Sequence, residues 1–186
     1  MIMTRYFLVL FTCAMLLLPV AESGATSGER QGRANSVEAY LYDTAGDSTN
    51  VRLNPNGKVK VRLTRDVFIP CFQLADYNNG WWHVVACSDA EGTEEADAIC
   101  SKAVGGYIHY SCVAVESSNY GQQTIGLPAK PSAKSKVLWS TKEVIVLRPT
   151  GVSRDGKWWR VKTEDGKHEG WIQVEWLCLN PLTNCS

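Results

Sequence analysis

Short apolar runs broken by Gly, Pro, Asn and Asp recur along most of the chain: VEAYLY at 37–42, VKVRL at 59–63, WWHVVAC at 81–87, VLW at 137–139, EVIVL at 143–147, WWRVKT at 158–163 and WIQV at 171–174. Several alternate with period two and are rich in β-branched and aromatic residues, the pattern of half-buried strands bounded by turns. Outside the N-terminal segment no stretch sustains an apolar i, i+3, i+4, i+7 pattern. The expected class is therefore all-β, built from short strands, as in small barrels or sandwiches.

The pattern changes at the N-terminus. Arg5 precedes an almost wholly apolar run of 14 residues, Phe7 to Val20, followed by Ala21, Ser23 and Ala25 at small-residue spacing. A basic start, an apolar stretch and small residues describe a secretory signal, whereas a spanning helix needs about 20 apolar residues. Residues 1–25 are read as a signal peptide cleaved after Ser23 or Ala25, and 26–36, polar with little to bury, as a disordered leader. The mature protein is then expected to be exported, periplasmic or extracellular, with no membrane span.

Charge adds little pull toward any partner. Lys+Arg and Asp+Glu both number 19, and cleavage removes one of each, Arg5 and Glu22. A neutral chain has no global field for nucleic acid. Cleavage also removes Cys13 and leaves six cysteines, an even number that reads as a disulfide framework in an exported chain. No C-x-x-C occurs and the only histidines are His83, His109 and His168, so neither a metal nor any other cofactor is expected.

Internal repetition sets the layout. Gly80-Trp81-Trp82-His83-Val84 followed by Gly106-Tyr107-Ile108-His109 is answered by Gly156-Lys157-Trp158-Trp159-Arg160-Val161 followed by Gly170-Trp171-Ile172-Gln173. Upstream, Asn50-Val51-Arg52-Leu53-Asn54-Pro55 is matched to Gln123-Thr124-Ile125-Gly126-Leu127-Pro128. The order is kept, so the chain is a tandem duplication, with units at 37–116 and 123–186 and a linker at 117–122. From Trp82 to Gly106 is 24 residues, but from Trp159 to Gly170 only 11. The surplus equals the separation of Cys87 and Cys100, which bracket SDAEGTEEADAI. An acidic insertion closed at its base by a Cys87–Cys100 bridge explains both. Cys178 and Cys185 flank a terminal loop and are expected to pair, which leaves Cys71 with Cys112.

The repeat resembles the bacterial SH3-type (Src-homology-3-like) domain, with its Asn-Val-Arg start, Pro-containing loop, Gly-Trp-aromatic-x-Val strand and final Gly-Trp-Val/Ile turn and strand. Asn50, Val51, Arg52, Pro55, Gly80, Trp81, Trp82, Val84, Gly106, Tyr107 and Ile108 carry the likeness in the first copy. Leu127, Pro128, Pro131, Trp158, Trp159, Val161, Asp165, Gly166, Gly170, Trp171 and Ile172 carry it in the second. The second copy lacks the Asn-Val-Arg start and the first carries the acidic insertion. The resemblance implies two small SH3-like barrels in tandem and a role in holding peptidoglycan, without room for an accompanying hydrolase.

Binding is expected rather than catalysis. The cysteines are accounted for as bridges, no G-x-S-x-G is present, and Glu94, Glu95 and Asp97 lie in the insertion, a poor scaffold for paired carboxylates. Strand alternation puts Trp82 with Val84 and Trp159 with Val161 on the core face. Trp81 then shares the other face with His83, and Trp158 with Arg160 and Lys162. Trp81, Trp158, Arg160 and Lys162 are the candidate ligand-binding residues, with Tyr40, Tyr42 and Tyr110 as possible neighbours. The competing reading packs Trp81 and Trp158 under a loop or against the other barrel. The expected partner is peptidoglycan stem peptide or glycan. The alternative is an envelope or secreted protein, with this chain as an assembly factor, inhibitor or immunity protein and the acidic insertion as the docking element.

Overall fold

The computed structural model describes residues 36–64, 69–89 and 94–179. The expected signal peptide at 1–25, all of the expected leader (26–36) but Ser36, and the C-terminal loop holding Cys185 lie outside the described residues. The all-β expectation holds. The first half comprises β1 (Val37–Leu41), a hairpin of β2 (Ser48–Arg52) and β3 (Val59–Thr64), a meander of β4 (Pro70–Asn78), β5 (Trp81–Asp89) and β6 (Tyr107–His109), a 3-10 turn at Tyr110–Cys112, and β7 (Val113–Ser117). The second half repeats the order. A hairpin of β8 (Ile125–Pro128) and β9 (Val137–Thr141) leads to a meander of β10 (Val146–Val152), β11 (Trp158–Thr163) and β12 (Glu169–Gln173), a 3-10 turn at Val174–Trp176, and β13 (Leu177–Cys178).

The two small barrels that the resemblance implies do not appear as closed barrels among the described residues. Among the described residues one open ladder runs β12-β11-β10-β7-β1-β4-β5-β6-β2-β3, with β13 also on β7 and β8–β9 as a separate hairpin. The junction is β7. Its Val113 and Ala114 pair with Leu41 and Tyr40 of β1, while Val115 and Glu116 pair with Leu147 and Val146 of β10. Glu116 and Ser117 also face Cys178 and Leu177. One strand thus serves both halves.

Within the expected linker at 117–122, Ser117 closes β7 and Asn119 is packed, while Tyr120, Gly121 and Gln122 are exposed. Ser117 and Asn119 are fully buried. Ser117 Oγ donates to Asn119 Oδ1 (2.7 Å) and accepts from the Ile145 amide (2.9 Å), and Asn119 Nδ2 donates to the carbonyls of Gln123 and Glu143. Polar side chains buried with their hydrogen bonds satisfied are structural pins, not a solvated spacer. Two further ties cross the seam. Trp82 Nε1 donates to the Pro149 carbonyl at 2.9 Å. Arg148, itself buried, donates from Nη1 to the carbonyls of Tyr42 and Val113 and lies 4.6 Å from the centre of the Tyr42 ring. The core follows the ladder and forms one cluster, from Val51, Phe72, Leu74, Trp82 and Ile108 through Val113 and Val115 to Leu127, Leu147, Trp159, Val161 and Ile172.

The upstream repeat is also placed differently. In β2–β3 a bulge falls between Val51 and Arg52, opposite Val61 and Val59; in β8–β9 it falls between Leu127 and Pro128, opposite Trp139 and Val137. Val51 therefore corresponds to Leu127, and Asn50-Val51-Arg52 to Gly126-Leu127-Pro128, three residues later than the sequence match. Pro55 then aligns with Pro131. The glycines beneath agree. A Cβ on Gly106 would sit 2.5 Å from Val51 Cγ1, and one on Gly170 would sit 2.8 Å from Leu127 Cβ. Each half needs a residue without a side chain where the hairpin crosses the last strand of its meander.

Cys87 and Cys100 are bridged with Cα atoms 5.2 Å apart, but strand is joined to helix, not strand to strand. The insertion folds as α1 (Glu94–Ser101), with Ala96 and Cys100 buried and Glu94, Glu95 and Asp97 exposed in its first turn. Acidic side chains at that end suit the helix dipole, and Asp97 Oδ1 accepts from the Asp89 amide (3.0 Å). Cys178 is disulfide-bonded. Cys71 and Cys112 are not paired; both are free thiols. Cys71 lies opposite Tyr40 on β4, and the Cys112 carbonyl accepts from the Tyr42 amide on the other side of β1. A whole strand stands between them. Two strand spacings come to roughly 9–10 Å, beyond the ~7 Å within which Cα atoms can be bridged.

Candidate functional site

The two Trp-Trp pairs behave partly as alternation demands. Trp82 and Trp159 are buried, with Val84 and Val161 on their faces. Trp158 is half-buried and Arg160 exposed on the opposite face of β11. Register extends that face across β12: Trp158 is opposite Gln173, Arg160 opposite Trp171, and Lys162 opposite Glu169. Directly paired residues project to the same side, so Trp158, Arg160, Lys162, Trp171 and Glu169 form one patch. Within it Glu169 accepts ion pairs from Arg160 Nε (2.7 Å) and Lys162 Nζ (3.7 Å). Both cations are therefore fixed in direction rather than free.

Trp81 is corrected. It retains only 9% of its surface, because β6 pairs alongside and sets His109 directly opposite, edge-on at 5.2 Å between ring centres. Its remaining exposed edge borders a cleft of about 380 Å³ lined by Pro55, Asp76, Tyr77, Asn78, Trp81 and Tyr107. Backbone irregularity shapes this cleft. The β4–β5 register shifts between Ala75 and Asn78, with Asp76 (φ 52°) and Asn79 (φ 47°) in the left-handed region. Such bulges re-aim side chains. Here Tyr77 is turned onto Trp82, 4.9 Å between ring centres, and onto the rim of the cleft.

The cleft and the patch are joined. His109 stacks at 4.7 Å on Tyr110, and Lys162 Nζ lies 5.3 Å from the centre of the Tyr110 ring, a cation–π contact across the seam. Trp81, His109, Tyr110, Lys162, Arg160 and Trp158 therefore follow one another on a continuous surface. Burial, then Tyr110 and Glu169, push the Tyr77 phenol above its ordinary range, and burial lowers His109. Both shifts favour the neutral side chains of Tyr77 and His109, and the cations of the band are Arg160 and Lys162 on β11.

Sequence reasoning named Tyr110 as a possible neighbour of the candidate residues but missed His109 and Tyr77 as members of the band. The signal for Tyr110 was the adjacency His109-Tyr110 after a Gly-Tyr-Ile strand, but only the shared β7 brings it to Lys162. Tyr40 and Tyr42 are not in this band. Tyr40 is buried beside Glu116, and Tyr42 donates to Glu164 (2.9 Å) beneath Arg148.

No family model matches the chain, and no curated protein matches it. Among solved structures, NlpC1 from Trichomonas vaginalis aligns at 12% identity with TM-score 0.29, over 76% of this chain and 45% of that one. NlpC2 from the same organism aligns at 12% identity with TM-score 0.29, over 77% and 48%. The chain spans less than half the length of either, and a superposition this loose settles neither fold nor activity. Among the described residues no helix is long and apolar enough to cross a membrane.

Proposed function

We propose that this protein is an exported cell-envelope binding module that holds peptidoglycan, through its stem peptides or glycan, along the band from Trp81 to Trp158. The observation that carries the reading is the continuity of that band: a half-buried Trp158 at one end and the small exposed edge of Trp81 at the other, joined through Tyr110 and Lys162 across the seam. An extended ligand with flat apolar faces and carboxylates fits such a surface. Aromatic rings give large contact area at little entropic cost, and cations held by Glu169 are already oriented. The SH3-type resemblance and the duplicated order of hairpin, meander, 3-10 turn and strand support a binding role. Retention on purified sacculi tests it. The exported chain should sediment with sacculi, and Trp158→Ala together with Trp171→Ala should release it; a chain that stays in the supernatant would overturn the reading.

A second reading rests on α1. Glu94, Glu95 and Asp97 stand exposed on a helix clamped by Cys87–Cys100, a pre-ordered acidic face suited to a basic partner protein. Neutralising those residues without effect on sacculus retention, but with loss of a co-purifying protein, would favour it.

A further inference from the structure

We propose that the β8–β9 hairpin docks the protein on the surface of an anionic lipid bilayer, on a face separate from the aromatic band. Charge is segregated there despite overall neutrality. Between Ser117 and Lys142 there is no acidic residue, but there are four lysines, Lys130, Lys134, Lys136 and Lys142; the acidic residues nearest this stretch, Glu143, Glu164 and Asp165, lie at its base beside Val144. All four are exposed, and none takes part in an ion pair among the described residues.

Apolar side chains stand among these cations. Leu138 (55%) and Val137 (52%) are the two most exposed large hydrophobics of the described residues, and Tyr120 (47%) and Val144 (42%) belong to the same region. Asn119 ties the Tyr120 loop to the base of the hairpin through the Glu143 carbonyl (3.1 Å). The hairpin is firmly seated from behind. Ile125 and Leu127 of β8 are buried, and Leu127 lies on Gly170 of β12. The hairpin tip is ordered by hydrogen bonds from the Lys130 amide to Ser135 Oγ and from the Lys134 amide to Ser132 Oγ. The hairpin thus carries lysines at its ordered tip and two exposed apolar side chains, Val137 and Leu138, at the start of β9.

The geometry favours a bilayer over a protein. Val137 and Leu138 are consecutive in a strand and point to opposite sides, so a flat partner surface could cover only one. A lipid interface can receive both, while lysine stems lie along the acyl boundary with their ammonium groups at the phosphates. A second copy offers the acidic α1 as a counter-charge, but its exposed Glu94, Glu95 and Asp97 present no apolar surface to Leu138.

Co-sedimentation of the chain from residue 26 onward with vesicles tests this. Vesicles of phosphatidylcholine containing phosphatidylglycerol should retain the protein, and pure phosphatidylcholine vesicles should not. Retention should fall as ionic strength rises. The combined change Lys130→Gln, Lys134→Gln, Lys136→Gln and Lys142→Gln should lower partitioning by at least about tenfold. Val137→Ser with Leu138→Ser should lower it as well, leaving its salt dependence in place. These side chains are exposed, so unchanged melting temperatures are expected and confirm that the variants fold. Equal retention on both vesicle types, no retention on either, or retention unaltered by the lysine changes would overturn the proposal. So would a salt-sensitive dimer in sedimentation velocity that the lysine changes abolish, since that assigns the hairpin to a second copy. Sacculus retention of the same variants should be unchanged, which separates this face from the aromatic band.

Discussion

Trp82 of the first half donates its indole N–H to the carbonyl of Pro149 in the second, across 2.9 Å of buried seam. Pro149 pairs with Val161 just before the β10–β11 register shifts between Pro149 and Gly151, and the indole ties its carbonyl to the other half. Trp82→Phe keeps an aromatic ring in the core but removes the donor. It should lower stability by about 1–3 kcal/mol, from the lost buried hydrogen bond and the smaller ring in the core. Because β7 and the seam join the halves, denaturant unfolding of the parent protein should be one transition by fluorescence and circular dichroism. Two transitions in the parent would mean that the seam does not couple the halves.

A second expectation concerns the paired glycines. Gly106→Ala drives a methyl to 2.5 Å from Val51 Cγ1, and Gly170→Ala drives one to 2.8 Å from Leu127 Cβ with the Leu127 backbone 3.0 Å away. Overpacking of this kind costs about 1–3 kcal/mol. The two sites should differ in how they can be relieved. Val51→Ala removes the clashing methyl at the first site and should recover part of the loss in a Gly106→Ala background, the carbonyls of Ala103 and Arg52 at 3.0 and 3.1 Å keeping the recovery incomplete. At the second site the nearest atom is Leu127 Cβ, which Leu127→Ala retains together with the backbone behind it, so that change should not rescue Gly170→Ala. Thermal melts of the four variants and the two doubles check this, and rescue at both sites would sink the account.

The free thiols give a prediction in pH. Cys112 is held up to about 11 by burial first and by Asp43 next, and Cys71 is raised by burial, then Asp89 and Glu38. A group whose folded value is raised above its unfolded value contributes stability below the unfolded value, and that stability fades as pH rises through the folded one. From about pH 9 to about 11 the unfolded chain releases the Cys112 proton while the folded chain keeps it, so stability should decline across that window. Cys112→Ser should flatten the decline. In the native protein at pH 8, iodoacetamide should label Cys112 far more slowly than a free cysteine peptide, because the thiolate is the reactive form. In denaturant without reductant, Cys71 and Cys112 should both label while Cys87 and Cys100 stay protected. Protection of Cys71 and Cys112 would restore the bridge between them.

Much of this fold was legible because periodicity and motif order are local. WWHVVAC and WWRVKT alternate cleanly, and Trp82, Val84, Trp159 and Val161 went inward as the pattern required. The Cys87–Cys100 staple was legible because the insertion's length matched the cysteine spacing. What escaped were relations between distant segments. Nothing in VAVES marks it as a strand that pairs with both halves, so Ser117 and Asn119 read as linker. Cys71 and Cys112 were matched by elimination, which carries no information about β1 lying between them. The upstream repeat was aligned on Pro55 and Pro128, whereas the bulge at Leu127 fixes Pro131 as the partner of Pro55. Trp81 was read outward correctly by face, but the face is covered by β6, and alternation is blind to what a neighbouring strand covers.

The last expectation separates core from surface among the tryptophans. Trp159 is 3% exposed and sits between Val152 on β10 and Ile172 on β12. Trp159→Ala should cost about 3–5 kcal/mol as a large cavity in the core, and any loss of binding should follow unfolding. Trp158 points the other way, half-buried beside Gln173 on the patch that holds Arg160 and Lys162. Trp158→Ala should leave the melting temperature nearly unchanged and weaken sacculus retention by about 2 kcal/mol, the size of an interface anchor. Trp81 falls between these cases. With so little of its surface exposed and His109 against its ring, Trp81→Ala should reduce both stability and retention, and Trp81→Phe should restore more of the first than of the second. Glu169→Gln completes the set. It releases Arg160 and Lys162 from their shared carboxylate, so stability should barely move, since exposed ion pairs are worth about 0–1 kcal/mol, while retention should become more sensitive to salt. If Trp158→Ala unfolds the protein, the ring is core and the band ends at Lys162. If Trp158→Ala and Glu169→Gln both fold and both bind as the parent does, the ligand does not lie along this face.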